Sequence, residues 1–68
     1  MNLAQRFNAS IRAAQLWLAA GETGQALGAL RLALKSANAL SPEHRSVTLR
    51  AMNWVRAAQR REAGRAVA

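Results

Sequence analysis

Four side chains of this 68-residue chain could handle protons near neutral pH: Glu22, Glu43, Glu62 and His44. The sequence has neither Asp nor Cys. Acid–base catalysis needs such groups held within reach of one another and of a substrate. Nucleophilic catalysis by a hydroxyl or thiol needs a Ser, Cys or Thr beside a base. The three glutamates fall in different parts of the chain, and His44 has no identifiable Ser, Cys or Asp partner, so it reads as a surface histidine. One His without Cys cannot supply a zinc ligand set. Gly21, Gly24, Gly28 and Gly64 are scattered and make no phosphate-binding loop. The expectation is a protein that is not an enzyme, with no cofactor and no metal.

The remaining chemistry is cationic. Ten Lys and Arg against three acids give a net charge of +7, which favours an acidic partner: nucleic acid, an anionic surface or an acidic protein face. Residues 1–34 carry three Arg and one Glu, whereas residues 35–68 carry one Lys, six Arg and two Glu. Arg45, Arg56 and Arg60 fall along one side of a helix, with Arg50, Asn53 and Arg61 flanking. Arginine's flat fork of donors suits phosphate and carboxylate alike. A solvated helix face has the same pattern.

These residues need elements to position them, and the pattern is helical throughout. Leu3, Phe7, Ile11, Ala14 and Leu18 recur at helical spacing, with Trp17 beside them, so a first helix is expected over 3–20. Asn2 and Gln5 fit a capping box, and Gly21 fits the stop. Thr23 is the expected cap of a second helix over 24–39, with Ala26, Leu27, Leu30, Ala33, Leu34 and Ala37 facing the core. Ser41-Pro42-Glu43 opens a third helix over 42–62: Ser caps, Pro suits the first position and Glu the positive end. Its expected core face is Val47, Ala51, Trp54, Val55 and Ala58, which would let Trp54 meet Trp17 between the first and third helices. The fold class is therefore all-α: one domain over 1–63, a compact three-helix bundle, with a frayed tail over 64–68. No apolar stretch is long enough to span a membrane, and no secretory signal is recognisable. The first 20 residues hold Arg and no acid, as transit peptides do, but their apolar face suits a core. The absence of Cys fits a cytoplasmic protein.

The stretch from Ala14 to Leu34 resembles one tetratricopeptide helical hairpin. Ala14 stands at a small position, Trp17 at the aromatic one, Gly21 at the turn, Ala26 at the small residue of the second helix, Leu30 at the large one, and Ala33-Leu34 at the closing pair. Ser10, Ala13 and Asn38 replace the usual Trp, Leu and Pro, and there is one unit where about three stabilise such arrays. The resemblance implies a packed hairpin and, for function, peptide binding. In its size and its Ala- and Arg-rich composition the chain also resembles small accessory proteins of temperate phages and mobile elements. Some of these disable host proteins by direct binding.

Surplus apolar residues point the same way. Ala9, Ala13, Leu16 and Ala20 form a second stripe on the first helix. Leu32 projects from the second, beside Ala29 and Ser36. Leu49 and Met52 sit among the arginines of the third. Leu16, Leu32, Leu49 and Met52 are thus candidate protein-interface residues, and Arg45, Arg50, Arg56, Arg60 and Arg61 a candidate basic patch. A domain of this size has a small core and no disulfide staple, so a homodimer is expected. Two functions stay open. One is a protein-binding adaptor or inhibitor with an acidic partner, such as a phage regulator of a host protein. The other is a nucleic-acid-binding protein that lays the third helix on phosphates. The expected lack of an aromatic residue on the basic face favours the first.

Overall fold

A computed structural model of the protein describes residues 2–67, with side chains over 2–65. It holds three helices, α1 (Leu3–Ala19), α2 (Thr23–Leu40) and α3 (Pro42–Val67), and no strand among the described residues. Each boundary has a local cause. The Asn2 side chain accepts from the Gln5 N–H at 2.8 Å and the Gln5 side chain accepts from the Asn2 N–H at 3.0 Å, which closes the capping box. At the other end of α1, Gly21 takes a φ of +77°. The Gly21 N–H bonds to the Leu18 carbonyl, and the Glu22 N–H to that of Trp17. That is the left-handed cap in which only glycine is unstrained. α2 starts one residue earlier than the sequence suggested: Glu22 stands at the cap without a side-chain bond, and Thr23 is already helical.

Ser41 alone separates α2 from α3. Its Oγ accepts from the His44 N–H at 3.2 Å and lies 2.6 Å from His44 Nδ1. His44 is half-buried rather than a free surface residue: its ring meets Phe7 edge to face, with centroids 4.9 Å apart. α3 then continues to Val67, past the expected end at Glu62, so residues 64–67 are helical rather than a separate tail. Ala68 lies outside the described residues.

α2 is the middle of the molecule and packs against both α1 and α3, whereas no α1 Cα comes within 8 Å of one in α3. The three helices form one compact, flattened bundle with α2 in the middle and Cα extents of 45 × 21 × 12 Å. Its core joins Ala14 of α1, Ala26, Leu27, Ala29 and Leu30 of α2, and Met52 and Val55 of α3. A smaller cluster joins Phe7 to Ala33 and Ala37. The small residues Ala14, Ala26 and Ala33 are buried.

The third helix is turned from the expected phase. Val47 and Trp54, expected inside, are 57% and 60% exposed. Val55 is buried and Ala51 and Ala58 are partly buried, as expected, but Thr48 and Met52 are buried in place of Val47 and Trp54, with His44 partly so. The single-residue connection sets this rotation. It leaves little freedom in how α3 leaves α2, and with His44 against Phe7 the residues four, eight and eleven positions on face inward. Thr48 can be buried there because its Oγ1 donates to the His44 carbonyl at 2.7 Å. The expected meeting of Trp17 and Trp54 does not occur: both rings are exposed, and the ring contact between α1 and α3 is that of Phe7 with His44.

Candidate functional site

Two outward surfaces gather the candidate residues. The first is the outer side of α3. Helical geometry sets Arg45, Leu49, Asn53, Arg56 and Arg60 along one line, and Val47, Arg50, Trp54 and Arg61 along another about 130° away. All nine are exposed, and Arg65 extends the second line. Met52, expected in this patch as a contact residue, is 4% exposed and belongs to the core. Trp54 is the reverse. It was expected in the core, yet it stands in solvent one turn from Arg50 and two from Arg61. The basic face therefore carries an aromatic ring that the sequence did not place there. A signal was present in the sequence: Trp54 keeps helical register with Arg50 and Arg61 as well as with Ala51 and Ala58. Near the start of α3, Arg45 and Leu49 line an open depression of about 660 Å³ with Ser41, Pro42 and Ser46. The Glu43 carboxyl at this end is held below the ordinary carboxylate range, chiefly by its own backbone N–H, as suits an acid in the first turn of a helix.

The second surface belongs to the α1–α2 hairpin. Leu16 is 68% and Leu32 58% exposed, as their patterns implied. Their expected neighbours differ in part. Ala13 is half-buried and packs on the core, and Ala29 and Ser36 are buried. The reason is that α2 has a helix on either side, so its buried arc is wider than one stripe. Leu16 lines one shallow depression and Leu32 another, and Ala9 borders both.

Among the described residues no three His, Cys, Asp or Glu side chains converge, and no helix is long and apolar enough to cross a membrane. No protein-family model, curated protein or solved structure matches the chain.

Proposed function

We propose that the protein is a non-enzymatic binding module, an adaptor or inhibitor that acts on another protein through its helix faces, with the outer side of α3 as the principal contact. One observation carries this reading. Seven large apolar side chains, both tryptophans included, are exposed, and five (Phe7, Leu27, Leu30, Met52 and Val55) are buried. Single exposed leucines are ordinary. Four more, Ile11, Leu18, Leu34 and Leu40, are half-buried against the core; a chain this short that leaves seven large apolar side chains exposed carries surface for something else to cover. On α3 that surface combines Trp, Leu and Arg, and Trp and Arg dominate interface hot spots. Trp54 and Leu49 serve as anchors, and Arg45, Arg50, Arg56, Arg60 and Arg61 as a rim that meets acidic residues. Regulation of a host protein is the use that the compositional resemblance implies.

The exposed Trp54 among arginines favours one second reading: single-stranded nucleic acid, with the ring stacked on a base and the arginines on phosphates. Trp54 would serve either partner, so Leu49 decides between them. A pull-down with and without nuclease supplies the partner, and variants are then measured at two salt concentrations. For a protein partner, Leu49→Ser costs more than about 1 kcal/mol of binding and salt matters little. If Leu49→Ser binds like wild type while each Arg→Ala weakens binding and flattens its salt dependence, the nucleic-acid reading replaces the first.

A further inference from the structure

We propose that the α1–α2 hairpin carries a second docking face, which takes an acidic amphipathic helix of a partner protein. The inference does not depend on what α3 binds.

The face consists of the two depressions that share Ala9, and no α3 residue lines either. From Gln5 to Leu16 it follows α1 for about 16 Å, three helical turns. Its low ground is Ala9, Ser10, Ala13 and the buried Ser36. Leu16 and Leu32 stand beside it as the most exposed leucines of the chain. Small residues between two larger ones allow another helix axis to come close. The chain also exposes more than its size predicts: 4826 Å², against about 4,200 Å² for a folded monomer of this mass.

Three arguments select the occupant. The backbone groups of α1 and α2 are spent within their own helices, so an extended segment laid here would find no partners for its N–H and C=O groups. A helix brings its own hydrogen bonds. Arg6, Arg12 and Lys35 line the depressions and no carboxylate does, so the charge that suits the rim is negative. A second copy of this chain would place cations against cations with no acid of this face to answer them. A helix with apolar residues at i, i+4, i+7 and i+11 and glutamates around them matches both the length and the charge.

The test uses the full chain, labelled with ¹⁵N, and three synthetic helical peptides of roughly 18 residues. One has leucines at that spacing among glutamates. One has the same composition scrambled so that no apolar face forms. One has lysine for every glutamate. The expected result is saturable binding of the first peptide, with amide shifts centred on Ala9, Ala13, Leu16, Leu32 and Lys35. The scrambled and lysine peptides should bind at least about tenfold more weakly. Leu16→Ser and Leu32→Ser should each weaken the first peptide by about tenfold with helicity unchanged, because both side chains are exposed, and Trp54→Ala should leave it unaffected. The inference is overturned if the scrambled peptide binds equally well, if the shifts fall on α3, or if no peptide binds. It is also overturned if the same amides shift with protein concentration alone, because the occupant is then a second copy.

Discussion

α2 and α3 are consecutive helices, and they spend their residues in opposite ways. α2 has 18 residues and buries seven of them, from Ala26 to Ala37. α3 has 26 residues and, among those whose side chains are described, buries three, Thr48, Met52 and Val55. α2 is covered from two sides, so most of its apolar residues are answerable to packing. α3 is covered from one side and is eight residues longer than its neighbour, about 12 Å of helix. Its outward residues answer to solvent or to a partner. Residue type alone therefore misleads: a leucine on α2 is core unless shown otherwise, and a tryptophan on α3 is not.

Truncations test this contrast most strongly. Leu30→Ala on α2 and Met52→Ala on the inner side of α3 should each cost about 2–5 kcal/mol, enough to unfold much of a domain this small. Trp54→Ala should cost under about 1 kcal/mol, as surface changes do. Urea melts followed by circular dichroism measure all three. A large loss of stability for Trp54→Ala beside a small one for Met52→Ala would restore the phase that the sequence pattern suggested.

Fluorescence sharpens the same point without perturbing the fold. In Trp17→Phe the remaining Trp54 should emit far to the red and be quenched strongly by acrylamide. In Trp54→Phe the remaining Trp17, 41% exposed, should be quenched less. Equal protection of the two rings would mean that α3 is covered in solution.

Smaller effects belong to the helix ends. Gly21→Ala should cost about 1–2 kcal/mol, because the residue's φ is left-handed. Nothing lies within 4 Å of an added Cβ there, so the loss is conformational rather than steric. Asn2→Ala should cost about 1 kcal/mol through loss of the capping box. Thermal melts read both changes.

The smallest expected effect is electrostatic. The Glu43 carboxyl is lowered in the folded state. Its stabilisation is therefore fully present above the unfolded pKa and lost as pH falls through the lower folded value. Wild type should melt slightly above Glu43→Gln at pH 7, and the difference should close well below pH 4. A difference that grows on acidification would reverse the assigned sign.

Local rules made much of this protein legible in its sequence. The three helices, the Asn2–Gln5 box, the Gly21 stop and the Ser41-Pro42 start follow from interactions within a few residues. The core face of α2 was legible because nearly all its large apolar residues share one broad arc; Leu32 is the exception. The exposure of Leu16, Leu32 and Leu49 and of the five arginines of the patch was legible too, since each lies away from the stripe its helix buries. The rotation of α3 was not. The expected stripe Val47–Ala51–Trp54–Val55–Ala58 and the stripe Thr48–Met52–Val55 lie one residue apart and share Val55, and apolar size favours the first. Tertiary structure decided for the second, through the one-residue connection at Ser41, the seat of His44 on Phe7 and the Thr48 hydroxyl satisfied by its own helix. That choice depends on where α2 and α1 lie, and helical periodicity carries no record of it. It moved Met52 inside, put Trp54 among the arginines, and so determined what the basic helix offers to a partner.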